Sequence, residues 1–366
     1  MDPVAVVLGV VVVVWVLADS FQTLLATNIR VGRFSLTSWF FRGLWKTYRR
    51  MCVRITSDLR RERWLARFGP ASFLSLLTLW SMGEIFGWGL IWWGFRDSFH
   101  TPISDLGEAF YYSGVVYFSI GFGDVLPAGN GLRFLTVVEG FSGLGTLGLV
   151  IGYLPSLYGA YAARERQLLL LDDFTDARIT PVSLIRSQMG PTGDTAQLNA
   201  MFDEWAAWCA QVYDSHTSLP VLLWFRSKHR GQSWITGLGV VTDAAITYAA
   251  LVPGTERGPA MKLYRQSLRL ITDLAERVGL DPTPDAGPVS TEFWTAGYAS
   301  FQRLGLPMRS FDDSLARSRS LRRPFHALME SFIDELVAPR GFWGVTSADH
   351  LAEADLEGLF DPDPPD

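Results

Sequence analysis

The 366 residues, 48% of them hydrophobic, are enough for two or three domains. A net charge of −5 gives no basic footprint for nucleic acid. Two cysteines, Cys52 and Cys209, exclude a disulfide framework, and five scattered histidines lack the spacing of a zinc site.

These averages blend two unlike halves. Nearly all long apolar stretches fall within residues 1–163, whereas 164–366 reads as an ordinary soluble segment. Residues 3–18, PVAVVLGVVVVVWVLA, carry no charge, and their apolar character continues to Leu25, with Asp19 near the end. That length can reach across a bilayer. A signal peptide would need a basic start and a small-residue cleavage site; Met1-Asp2 and the lack of Ala-x-Ala favour an uncleaved anchor over residues 1–27.

A basic linker, 28–69, follows: from Arg30 to Arg67 eleven Lys and Arg stand against Asp58 and Glu62. Lys and Arg mark the cytoplasmic side, which puts the N-terminus outside and this linker inside. Residues 38–66 read either as a basic helix lying along anionic headgroups or as a solvated linker obeying the charge rule. Two further stretches are long enough to span, Phe68–Phe95 with Glu84 as its sole charge and Phe134–Ala163 with Glu139. The chain returns to the cytoplasm at Arg164.

Between these spans lies GEAFYYSGVVYF, Gly107–Phe118, too short to cross and preceded by the helix-start signals Thr101-Pro102 and Asp105. It predicts a helix that enters partway, followed by Ser119-Ile-Gly-Phe-Gly-Asp124 as non-helical backbone climbing back out. Such backbone is tolerated at membrane depth only where protein shields it or it lines a watery cavity. In an ordinary strand successive carbonyls alternate sides. Gly121 and Gly123 can take positive φ cheaply, so that the carbonyls of Ser119, Ile120, Gly121 and Phe122 face one way and replace the water shell of a cation. The short helix adds the negative end of its dipole, aimed toward the cavity below.

S-I-G-F-G-D between two spans resembles the selectivity filter of potassium channels, usually T-V-G-Y-G-D. The likeness covers about residues 70–165: outer helix, pore helix, filter and inner helix, as in two-transmembrane bacterial potassium channels. It implies an all-α membrane protein that binds K+ through the backbone carbonyls of Ser119–Phe122, works as a homotetramer in the plasma (inner) membrane, and needs no cofactor, K+ being the permeant ion. Ser119 replaces the usual Thr and Phe122 the usual Tyr, as in ether-à-go-go-related and many two-pore-domain channels. Tyr112 stands where the family's pore-helix Trp holds the filter Tyr, so that bond cannot form in its usual way. Tyr111 matches the Trp that bonds the filter acid, which implies a Tyr111 hydroxyl donating to Asp124, with simple core packing of both tyrosines as the alternative.

The same register places Gly143 on the family's inner-helix hinge glycine. Leu144, Leu147 and Ile151 follow helical spacing and would line an apolar cavity. Pro155 would kink the helix, setting a gate between Ile151 and Gly159. Gly143-Leu-Gly-Thr-Leu-Gly148 spells a dinucleotide fingerprint, but no strand precedes it. Glu139, a costly intramembrane carboxylate, is expected behind the filter near Val115, with a polar contact at a subunit interface as the alternative. No span carries the regular arginines of a voltage sensor.

From Thr195 the pattern is helical: TAQLNAMFDEWAAWCAQVY, LPVLLWFRS, WITGLGVVTDAAITYAAL, MKLYRQSLRLITDLAERVG, TEFWTAGYASFQRLG and LRRPFHALMESFIDELV, with proline-marked breaks between. It predicts an all-α cytoplasmic domain over 164–345, after the pore domain at 70–163, and an acidic disordered tail at 346–366. Trp205, Trp208, Trp224 and Trp234 read either as a ligand cage or as core; a ligand or protein partner of this domain goes unnamed by the sequence. There is no nucleophile elbow, P-loop or metal cluster. Three functions compete: a potassium-selective channel, a weakly selective cation channel, and a membrane-anchored enzyme or binding module with a vestigial pore.

Overall fold

A computed structural model describes residues 1–24, 36–172, 181–189, 194–227, 233–255, 258–283, 291–302 and 306–340. Arg30, Arg33 and the acidic tail at 346–366 lie outside them. Among the described residues there are helices and no strand, only an antiparallel bridge between Phe99 and Pro127. The protein is an all-α membrane protein. Its chain forms two compact units: Met1–Gly159 with Thr217–Phe225, and Ala160–His216 with the described residues from Arg226 onward. The return of Thr217–Phe225 to the first unit was not foreseen.

In the membrane unit, α1 (Pro3–Leu24) begins on a proline whose missing N–H is no loss at that position. Asp2 Oδ1 caps it by accepting from the amides of Val4 and Ala5 at 3.1 and 3.3 Å. It runs antiparallel to α3 (Asp58–Gly94): the Asp2 amide meets the Gly94 carbonyl at 2.8 Å, while Asp19 meets Trp80 Nε1 at 3.0 Å. Between these ends Gly9 packs on Gly87, and a Cβ on Gly87 would fall 2.7 Å from Val13 Cγ2. Small residues allow such close approach where lipid supplies no hydrophobic drive. Gly87→Leu is therefore expected to separate α1 from α3 and lower the melting temperature in detergent, whereas Val10→Leu on the exposed face should leave it unchanged.

Helix α2 (Leu36–Val53) covers only part of residues 38–66, for which a basic helix was one of two readings. The chain leaves helix at Arg54–Ser57 and restarts at Asp58, whose carboxylate suits a helix N-terminus. Buried Asp19 pins the start of α2: its carboxylate accepts from the Thr37 amide at 3.2 Å and the Thr37 hydroxyl at 2.5 Å. The back of α2 packs through Trp45 on Phe68 of α3, ring centroids 4.8 Å apart, leaving Arg42, Lys46 and Arg50 outward. Helix α4 (Leu106–Tyr117), α5 (Asn130–Asp172) as far as Gly159, and Thr217–Phe225 complete the unit.

The helical unit contains the last turns of α5, then α6 (Pro181–Met189), α7 (Ala196–Ser218), α8 (Trp234–Leu251), α9 (Pro259–Val278), α10 (Thr291–Gln302) and α11 (Phe311–Leu336). Helix α6 was not expected. LPVLLWFRS, expected as a helix, forms only a short 3-10 turn at Pro220–Trp224. Helix α11 starts ten residues before the expected Leu321 because Ser310 accepts from the Asp313 amide at 3.2 Å, a Ser-x-x-Asp cap the sequence does carry.

Among the described residues, four helices are long and apolar enough to cross a membrane: α1, α3, α5 and α8. A helix apolar on all sides is buried either in lipid or in protein. For α8 the solvent is protein, since 94% of its apolar window is buried and α6, α9 and α11 pack around it. Its one acid, Asp243, is held by Arg322 of α11 through Nε to Oδ1 at 2.5 Å and Nη2 to Oδ2 at 2.7 Å. Of the four tryptophans, Trp205 and Trp208 meet edge-on at 5.0 Å, Trp234 lies 4.9 Å from the His216 ring, and Trp224 belongs to the other unit.

Buried His216 lies beside Arg164, Nε2 to Nη1 3.4 Å. Burial, with the Arg164 charge adding to it, pushes its pKa down to about 3. Unfolded, it would take a proton near pH 6.5, so between these values the unfolded chain binds more protons and stability rises with pH. Acidification below pH about 6.5 should cost roughly 1.4 kcal/mol per pH unit from this group. The slope of melting temperature against pH, compared with that of His216→Gln, isolates it; parallel slopes would refute the assignment.

Candidate functional site

The pore helix α4 is built to start and stop where it does. Asp105 caps it by accepting from the Glu108 amide at 2.9 Å, and Glu108 returns a bond to the Ser104 amide at 2.6 Å, a reciprocal box. Its 12 residues give about 18 Å of helix, too short to cross. Tyr112 seats it against α3, edge-on to Trp92 and to Phe99 at 5.2 Å each.

Helical bonding runs out at Ile120, whose amide reaches back to the Val115 carbonyl at 2.8 Å. From Ser119 onward φ is positive at every second residue: 56° at Ser119, 66° at Gly121 and 78° at Gly123. Gly121 and Gly123 take the positive φ expected of them. Ser119 was not expected there, and no composition signal marks it, since left-handed serine is uncommon. Left-handed residues alternating with right-side ones cancel the alternation of a strand and let successive carbonyls face one side. The whole segment Ser119–Asp124 is exposed in the single chain, the Phe122 ring at 68%. Its exit is tied down by Ala128 N to Ser98 O and His100 N to Leu126 O, both 2.9 Å.

Behind the loop, Tyr111 Oη donates to Asp124 Oδ2 at 2.7 Å, the pairing that alignment implied. Tyr112 takes no part in it; its hydroxyl bonds Thr136 of α5 at 2.8 Å. Glu139, fully buried, accepts from Ser113 of α4 at 2.5 Å and from Trp92 Nε1 of α3 at 2.7 Å. It lies inside one chain, behind the pore helix, and joins three helices. A second buried carboxylate had not been singled out: Glu84 accepts from Thr146 of α5 at 2.8 Å, near Tyr117, whose hydroxyl bonds Ser81 at 3.3 Å. Its signal was visible as the sole charge in its span, but Thr146 lies 62 residues away. Tyr111→Phe should leave assembly intact while conduction decays faster under sustained current, read in planar-bilayer recordings; an unchanged decay would show Asp124 is held otherwise.

Along α5 two faces separate. Gly143, Thr146, Val150, Tyr153 and Leu157 are buried, and Gly143 is seated where a Cβ would meet the Tyr117 carbonyl. The glycine aligned with a hinge thus has a packing reason to be small. Leu144, Leu147, Ile151 and Pro155 lie on the exposed face, with Phe134, Val137 and Phe141 above them. Helix α5 runs without interruption through Pro155 to Asp172.

Two spanning helices flanking a half-length helix and a left-handed loop agree with what sequence comparison finds. Residues 77–158 match the family model described as "Ion channel". This segment is a two-transmembrane ion-channel domain. The chain is also 22% identical over 285 residues to "Uncharacterized membrane protein YdjJ" of Bacillus subtilis (strain 168), covering 75% of this chain and 76% of that one. Three quarters of 366 residues exceeds the membrane unit, so the likeness extends into the helical half of the chain. No solved structure matches the chain at a significant level.

Proposed function

We propose that this channel conducts potassium selectively and passively through a pore made by four copies of the chain, each giving Ser119–Phe122 as one wall of the filter. The observation that carries the reading is the left-handed backbone at Ser119, Gly121 and Gly123 on a loop exposed in the single chain. Rings of carbonyls from several loops replace an ion's hydration shell; one loop supplies one side of each ring. The exposed apolar face of α5, with Phe141 76% exposed, supports the same assembly, because further copies of the chain would cover it. The basic run in α2 and the start of α3 favours the N-terminus outside and the helical unit in the cytoplasm of a bacterial plasma membrane.

Purified protein in liposomes should pass K+ well ahead of Na+ and be blocked by barium. A reversal potential that ignores the K+/Na+ ratio would favour the weakly selective channel instead. That second reading has one observation behind it: Phe122 and Tyr112 no longer bond each other, and Tyr112 is tied to Thr136. No flux from a protein that elutes as a monomer would return the chain to a membrane-anchored binding module.

A further inference from the structure

Thr217–Phe225 comes from the far half of the chain yet packs within the membrane unit. Its 3-10 turn, Pro220–Trp224, ends in two adjacent aromatics with separate seats. The Trp224 ring lies 4.6 Å from Trp45 of α2 and 5.8 Å from Phe68 of α3, closing a three-ring cluster at the base of the outer helix. Phe225, buried, rests on Gly69 of α3, where a Cβ would fall 2.7 Å from its Cδ2, and stands edge-on to Tyr158 of α5 at 6.4 Å. Phe225 therefore lies between the outer and inner helices and meets α5 at Tyr158, three residues past Pro155.

We propose that Trp224 and Phe225 are gate-positioning residues: a wedge that keeps the lower end of the inner helix from moving outward and so holds the pore shut at rest. The inference rests on reading α5 as the pore-lining helix. Widening a pore at its inner end moves each lining helix away from the axis, toward the outer helix behind it. The Phe225 ring fills that path, and Gly69 lets it sit deep. Trp224 fixes the ring's position by anchoring the turn to α2 and α3.

The neighbours of the wedge in sequence are held in the helical unit. Arg226 donates to the carbonyls of Leu336 and Val337 at 3.1 and 2.6 Å, and its own carbonyl accepts from Tyr161 at 2.9 Å. On the other side α7 ends at Ser218, two residues before Pro220. Phe225 is therefore one peptide bond from a residue whose side chain is anchored in the helical unit.

The test is single-channel recording of full-length protein in bilayers. Phe225→Ala should raise the resting open fraction about fivefold, the scale of one or two lost aromatic contacts, with single-channel conductance and the K+/Na+ ratio unchanged. Phe225→Leu, which keeps most of the volume, should stay near wild type and guards against misfolding. Gly69→Ala pushes the ring from its seat, so it should shift the open fraction in the wild-type background and be silent in Phe225→Ala. A wild type that conducts normally, with the same open fraction in Phe225→Ala and Gly69→Ala, overturns the wedge and leaves the channel reading standing. A wild type that passes no potassium overturns both.

Discussion

Gly121→Ala is expected to abolish potassium flux while the protein still reaches the membrane and assembles. Gly121 sits at φ 66°. An L-residue with a Cβ pays roughly 1–2 kcal/mol for that conformation. In the proposed four-chain pore the penalty recurs in every copy, and relieving it by rotating the peptide would swing a carbonyl away from the proposed ion path. The substitution meets no steric obstacle inside its own chain, since nothing lies within 4 Å of the added carbon. The loss would therefore report backbone direction and not packing. Gly131→Ala, in the first turn of α5 and equally unhindered, is the control and should conduct as wild type. Liposome flux with both variants at matched protein incorporation checks this, and robust flux through Gly121→Ala would refute the filter.

Removing Glu139 should have the second large effect, and the outcome depends on what replaces it. Glu139→Leu leaves Trp92 Nε1 and Ser113 Oγ, both on fully buried residues, without their acceptor. Each stranded donor costs about 1–3 kcal/mol. The two losses fall on the seat of the pore helix in every chain, so loss of assembly and of flux is expected. Glu139→Gln should retain both. Its amide oxygen can accept from the indole, and the Ser113 hydroxyl can turn to accept from the amide nitrogen, because a hydroxyl serves as donor or acceptor. Size-exclusion profile and flux together distinguish the cases. A Gln variant as damaged as Leu would show that the negative charge itself, and not the bonding, is what the site uses.

These two sites differ in how far the chain announces them. The spans at α1, α3 and α5, the half-length pore helix and the positive φ of Gly121 and Gly123 were legible from residues 3–163. Each depends on a local property: hydropathy over twenty residues, a cap, or a glycine where other residues are strained. The Tyr111–Asp124 bond was implied by the resemblance to potassium-channel filters alone, with core packing of the tyrosine as the alternative, and no local property of the chain pointed to it. The left-handed Ser119 was not legible, since its conformation is imposed by the turn leaving α4 and not by its own side chain.

What the amino acids alone determined, then, is the membrane half and the loop at its centre, because water, lipid and backbone sterics act on each segment separately. Tertiary structure alone decided the partners of Glu139 and Glu84, drawn from helices as far apart in sequence as Thr146 is from Glu84. It gave Gly143 a seat against Tyr117 and returned Trp224 and Phe225 to the membrane unit. It also separated α8 from the true spans, a distinction hydropathy cannot make: lipid tails and a protein core are equally good solvents for an apolar helix, and only the neighbours packed around it reveal which one it occupies.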